Sequence, residues 1–257
     1  GPYEFPVYIG CSDTLMGGLF WSPDKFNIHG SDGMGDLGLR AERLGVSPGW
    51  AVEKICSVLR VSPAGTVEIV TLGPLTNIAA ALRMDPAAVK RAKRITIMGS
   101  AGLGYGNVTA TAEANIWHDP EAAAIVLDSG IPLMFVGWDA CLGDTRFFEE
   151  DLERLSELGE LGKFCVDINR ILIDFNEKRF GVPCFDMADP AAMAAALYPE
   201  CISECSPCFC RVDCSHGPSR GTLILDRRPY AGTPNAEICS GLDPGKFKEY
   251  VLRTIAR

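Results

Sequence analysis

Between positions 98 and 123 the sequence reads Met98-Gly99-Ser100-Ala101-Gly102, then Gly106-Asn107, then Ala112-Glu113-Ala114-Asn115-Ile116, then Asp119-Pro120-Glu121-Ala122-Ala123. Glycine lets a backbone approach a ligand closely, while Asn107, Glu113 and Asn115 offer neutral and anionic groups that can grip hydroxyls. A polyol such as a sugar suits that set. The same side chains also fit a surface loop in which they merely cap turns, and spacing alone leaves the two readings even.

The elements around this loop alternate in type. Residues 67–72 (Val-Glu-Ile-Val-Thr-Leu) form a β-branched run closed by Gly73-Pro74, and an Ala-rich segment at 77–84 follows with helical spacing. Residues 94–98 (Arg-Ile-Thr-Ile-Met) repeat the strand signal directly before the loop. Asp119 as cap, Pro120 at the first helical position and Glu121 in the first turn open a helix through Leu127. A third buried strand is predicted over 132–138, with Asp139 at its C-terminal end. Such alternation implies parallel βαβ units and a ligand crevice at the C-terminal strand ends. Further on, 147–178 reads as two helices broken near 159–162, and Asp189-Pro190 as the cap of an Ala-rich helix to Leu197. A period of two from Pro207 through Val212, with a second run over 221–226, predicts an antiparallel ribbon. Asp243 and Pro244 start a closing helix to Ile255.

The bulk properties fit one α/β domain over 1–257. Apolar residues make up 47% and charged residues 22%, which excludes a disordered, coiled-coil or collagenous chain. The apolar run at 131–138 falls far short of the ~20 residues that span a bilayer. A net charge of −9, from 24 Lys and Arg against 33 Asp and Glu, opposes binding to nucleic acid or an anionic membrane. The 11 cysteines cannot all pair, and no signal peptide is read ahead of the domain, so reduced thiols in a cytoplasmic protein are the expectation. Of the Cys201, Cys205, Cys208, Cys210 and Cys214 cluster, only Cys205 and Cys208 have Cys-x-x-Cys spacing. Zinc binding and buried, inert thiols are the two readings, and alternation of Cys208, Cys210, Val212 and Cys214 on one strand face favours the second. His29 stands in a glycine-rich loop, as a solvated residue or a substrate contact, and His118 is read as capping near Asp119 or contacting a ligand.

The 98–123 string, together with Thr71-Leu72-Gly73-Pro74-Leu75-Thr76-Asn77-Ile78-Ala79, resembles the inosine/uridine-preferring nucleoside hydrolase family. The similarity runs from Pro6-Val7-Tyr8-Ile9-Gly10 and His29-Gly30 through Val136-Gly137-Trp138-Asp139 and Ala188-Asp189-Pro190 to Arg220-Gly221. It implies a Rossmann-like α/β fold, with a mostly parallel sheet flanked by helices, that hydrolyses the N-glycosidic bond of ribonucleosides with a bound Ca²⁺. It further implies that Asn107, Glu113 and Asn115 hold ribose hydroxyls, that Met98 lines the pocket, and that His29 lies on a loop closing over it. Asp189 and the carbonyl of Leu72 are implied as metal ligands, and a homo-oligomer, dimer or tetramer, as the assembly. Asn107, Glu113, Asn115 and Asp189 are therefore expected to surround one cavity.

Two departures stand against this. The family's Asp-x-Asp-x-Gly-x-Asp-Asp motif, implied source of the water-activating base and most metal ligands, occurs nowhere in the chain, so no catalytic base is assigned. Position 188, where many members carry a His, is Ala188. The expectations are an enzyme whose N-terminal strand lies outside this sequence or a non-catalytic relative that acts as a binding or partner protein.

Overall fold

The computed structural model describes residues 5–17, 28–39 and 45–256. In chain order they form helix α1 (Ala51–Val61), strand β1 (Glu68–Thr71), helices α2 (Thr76–Met84) and α3 (Pro86–Val89), strand β2 (Arg94–Met98), helices α4 (Ala114–His118) and α5 (Pro120–Leu127), and strand β3 (Leu133–Val136). Next come strand β4 (Phe147–Phe148), helices α6 (Glu149–Glu157), α7 (Glu160–Asp167) and α8 (Arg170–Phe180), strand β5 (Cys184–Phe185) and helix α9 (Ala188–Leu197). Strands β6 (Ile202–Val212), β7 (Leu223–Asp226) and β8 (Ala236–Leu242) and helix α10 (Pro244–Ile255) complete the order. These elements fall into two compact units, one comprising 5–17, 45–140 and 204–241, the other 28–39, 141–203 and 242–256.

The first unit is built on a six-stranded sheet of order β1-β2-β3-β8-β6-β7. Strands β1, β2, β3 and β8 run parallel, with Ile95 opposite both Ile69 and Leu133 and Met134 opposite Glu237. This is the α/β architecture expected from the alternating pattern, with β2 and β3 buried over nearly their whole length as parallel strands covered by helices are. Ile78, Ala79 and Leu82 of α2 and Ala122, Ala123 and Val126 of α5 belong to one core with Ile95, Ile97 and Phe135. The outermost parallel strand, β1, is only half-buried. The ribbon of β6 and β7 is antiparallel as predicted, with Phe209 opposite Asp226.

Asp119 shows how the sequence fixes a junction in this unit. Its fully buried carboxylate caps α5 through Ala122 N at 3.1 Å and also accepts from Thr76 Oγ1 at 2.6 Å and Leu15 N at 2.9 Å. Removing it strands a buried hydroxyl and two amides, each costing about 1–3 kcal/mol. Asp119→Ala is expected to destabilise the fold by about 3 kcal/mol. Thermal unfolding should shift down by roughly 6–12 °C; a shift under about 2 °C would show that water replaces the carboxylate.

The second unit pairs β4 with β5, placing Phe147 opposite Phe185, and Phe147 meets Phe247 of α10 edge-on at 6.1 Å. Asp243 caps α10 through Lys246 N at 2.9 Å, as its position before Pro244 predicts. Residues 149–180 form three helices rather than two. Gly162 lies inside α7, packed so closely on α6 that a Cβ there would stand 1.9 Å from the Leu155 carbonyl; the glycine permits contact instead of ending a helix. Asp189 does not cap α9 either: the helix begins at Ala188 with Met187 before it, and Asp189 stands in the first turn.

All 11 cysteines are free thiols. Cys208 and Cys210 are buried in the first unit's core and Val212 packs against it, as alternation along β6 predicts, whereas Cys214 lies beyond the strand's end and is half-buried. Burial pushes the Cys210 thiol well above its ordinary range and the Cys201 thiol up to about 11. A thiol reagent at pH 8 should label the exposed Cys205 first and leave Cys201, Cys208 and Cys210 unlabelled until denaturant is added. Rapid labelling of Cys208 or Cys210 in the native protein would contradict their placement.

Candidate active site

The loop between β2 and α4 is held by the residues that the sequence singles out. Glu113 is buried and serves as N-cap of α4. Its Oε1 accepts from Asn115 N at 2.9 Å, and its Oε2 from Ile116 N and Ser100 N, both at 3.3 Å. Asn107 Oδ1 accepts from Ala114 N at 2.8 Å. Asn115 Nδ2 donates to the Met98 carbonyl and sulfur, both at 3.1 Å. Met98, Asn107, Glu113 and Asn115 are thus gathered at the C-terminal end of one parallel strand, where α/β folds bind ligands.

Turn-capping and convergence therefore coexist. Among the described residues Asn107 Nδ2 and Asn115 Oδ1 have no protein partner, which leaves one donor and one acceptor for a ligand. Gly106 is required here, since a Cβ would stand 2.2 Å from the Ala112 carbonyl. Ser100 takes φ of +87°, a left-handed conformation rare for a side-chain-bearing residue and found mostly where function demands it.

Asp139 stands beside this loop, a residue that the sequence places at a strand end without a role. Its Oδ2 accepts from Leu103 N at 2.7 Å, while Oδ1 is buried without a partner, and burial pushes the carboxyl above its usual range. Thr71 Oγ1, at the end of β1 and next to Leu72, is also buried without a partner. No spacing rule picks out Asp139, because its partner is a backbone amide 36 positions away.

Asp189 and His29 lie in the second unit. Burial raises the Asp189 carboxyl, and the charge of His29 opposes that rise. His29 is exposed on a loop in which Asp32 and Asp36 accept from neighbouring amides, and Arg170 Nε donates to the Gly35 carbonyl at 2.8 Å. Asn27, two positions before His29, lies outside the described residues. His118 Nδ1 bonds the Ala114 carbonyl at 2.6 Å, so it closes α4 rather than opening the next helix. Among the described residues no group of three or more His, Cys, Asp or Glu side chains is placed to hold a metal ion. Ca²⁺ takes about six to eight oxygens, so the described side chains do not make its site by themselves. A cavity of about 360 Å³ on the β6–β7 ribbon, lined by Phe209, Arg211, Arg228 and Tyr230 among others, includes none of these residues.

A mostly parallel sheet flanked by helices, with a polar loop at a C-terminal strand end, defines an α/β protein of the kind that binds ligands at that end. The pattern of the inosine-uridine preferring nucleoside hydrolase family matches residues 1–249, and the chain belongs to that family. It is 36% identical over 201 residues to a probable uridine nucleosidase of rice, Oryza sativa subsp. japonica, covering 78% of this chain and 61% of the rice protein. With the pyrimidine-specific ribonucleoside hydrolase RihB of Escherichia coli it shares 32% identity over 249 residues, 94% of this chain and 76% of that one. A solved plant nucleoside hydrolase superposes with a TM-score of 0.87 at 27% identity, over 98% of this chain and 80% of the other. The chain spans about three fifths of the length of the plant uridine nucleosidases that it matches.

Proposed function

We propose that this chain carries the ribose-binding part of a nucleoside N-ribohydrolase, which releases ribose and free base from ribonucleosides. The observation that carries the reading is the gathering of Met98, Asn107, Glu113 and Asn115 at the end of β2, with Asn107 Nδ2 and Asn115 Oδ1 open to hydroxyls. A vicinal diol offers one donor and one acceptor to such a pair. Cleavage of an N-glycosidic bond builds positive charge on the sugar ring, and a buried carboxylate close by favours it.

The family relation and the relatives' names support a ribonucleoside substrate, and the net charge of −9 fits a neutral small molecule better than a polyanion. Residues 1–257 acting as one functional domain, a homo-oligomer and a cytoplasmic setting belong to the same reading. No described helix is long and apolar enough to cross a membrane. Leu72 and Asp189 remain the residues assigned by resemblance to Ca²⁺, with His29 assigned to the substrate.

Calorimetric titration with uridine and inosine tests the reading. Binding is expected for the ribonucleosides, and weaker binding, by about tenfold or more, for the 2′-deoxy analogues, since a hydroxyl-reading site rejects the analogue that leaves its polar groups unpaired. Equal affinity for deoxy and ribo forms would remove the ribose assignment. A fusion that places an Asp-x-Asp-x-Gly-x-Asp-Asp strand ahead of residue 1 should gain Ca²⁺ binding and hydrolysis. A folded fusion that gains neither would favour the non-catalytic reading.

A further inference from the structure

We propose that Asp139 is a positioning residue for this pocket: its carboxylate holds the turn after β2 in the shape that carries Glu113, without touching the ligand. The inference rests on the ribose reading and adds the device that orients the site. Ser100 links the two acids. Its N–H donates to Glu113 Oε2, its carbonyl accepts from Trp138 N at 2.8 Å, and its hydroxyl accepts from Gly102 N at 2.9 Å. The residue preceding Asp139 therefore grips one end of the turn, and Asp139 grips the other through Leu103 N.

The turn is shaped to the carboxylate. Gly102 has φ of +62°, and a Cβ there would stand 1.9 Å from Asp139 Oδ1; at Gly137 it would stand 2.3 Å from the same oxygen. Two glycines thus make room for one acidic side chain. A buried oxygen without a donor is a cost to folding and marks a group kept for another reason. Holding the turn supplies one, because Ser100, which sits at a positive φ, gives its N–H to Glu113 and its carbonyl to Trp138 N, so the chain beyond it must take the course that Asp139 fixes through Leu103.

The test compares Asp139→Leu, which keeps the bulk and loses the acceptor, with Asp139→Asn, which keeps an acceptor for Leu103. Uridine affinity should fall by about tenfold or more in Asp139→Leu and stay within about threefold of wild type in Asp139→Asn. A general packing role would lower melting temperature and affinity together in both variants. Gly102→Ala, alone and combined with Asp139→Ala, covers the case in which Asp139→Leu does not fold. The alanine methyl displaces the carboxylate, so the two losses should be markedly less than additive.

Wild-type affinity in folded Asp139→Leu, equal losses in the Leu and Asn variants, or strict additivity would overturn the proposal. If the wild-type chain binds no uridine, the ribose reading fails instead. Amide exchange then decides the clamp: Ser100 should lose protection in Asp139→Leu and keep it in Asp139→Asn, and unchanged protection in both would refute it.

Discussion

Uridine or inosine incubated with residues 1–257 alone, at millimolar Ca²⁺, is expected to release ribose at least about 10⁴-fold more slowly than the ~10 s⁻¹ of a typical enzyme. The chain contains no Asp-x-Asp-x-Gly-x-Asp-Asp motif. The carboxylates around the pocket loop are committed elsewhere: Glu113 accepts from three backbone amides, and Asp139 is enclosed between Gly102 and Gly137 while it accepts from Leu103. A general base must reach the proton that it removes, and neither acid has that freedom. The measurement is free ribose by reducing-sugar assay over hours, with boiled protein as the blank. Turnover near the typical value would mean that a carboxylate of this chain activates water.

Replacing Glu113 should have the largest effect on folding and binding together. Glu113→Ala leaves the amides of Ser100, Asn115 and Ile116 without their acceptor and removes the N-cap of α4, a five-residue helix with little stability of its own. Hydrogen bonds to a charged acceptor are worth about 1.5–3 kcal/mol each, and water recovers part of that. A loss of about 3–4 kcal/mol is expected, seen as a lower denaturation midpoint at unchanged slope. Uridine binding should fall below detection even where the protein stays folded, because the N–H groups of Asn115 and Ser100 lose their anchor. Glu113→Gln retains one oxygen but turns an NH₂ toward a donor, so it should recover only part of the stability. A variant that binds uridine as wild type does would show the loop to be ordered without its carboxylate.

The parts of the fold legible in the sequence are those whose signals are local. Strand β2 falls on Arg94 to Met98 as read, and α5 and α10 begin at Asp-Pro caps whose side chains make the expected bonds. Helix α1 has no such mark: Trp50 precedes it without a side-chain cap, and nothing local announces its start. Strand β8, Ala-Glu-Ile-Cys-Ser-Gly-Leu, has one β-branched residue and becomes a strand by pairing with β3, a partner about a hundred positions earlier. The pocket loop was legible because Asn107, Glu113 and Asn115 lie within nine positions and bond to one another's backbone neighbours. Asp139 is visible in the sequence at a strand end, but its contact is not, because chain crossing and not spacing brings the Leu103 amide beside it.

The tryptophans near the loop give it an optical signature. Trp138 donates its amide to Ser100, and Trp117 sits in α4, its backbone so close to Gly221 that a Cβ there would stand 2.5 Å away, with the His118 ring edge-on at 5.3 Å. Both indoles are half-buried, whereas Trp50 is 63% exposed. Indole emission responds to the polarity of its surroundings, so a sugar that displaces water from this loop should move the blue side of the spectrum and leave the red contribution of Trp50 in place. Trp21→Phe combined with Trp50→Phe would then leave only the two loop chromophores of the chain's four tryptophans, and a nucleoside could be followed on and off the protein in a stopped-flow cell without a label or a coupled assay.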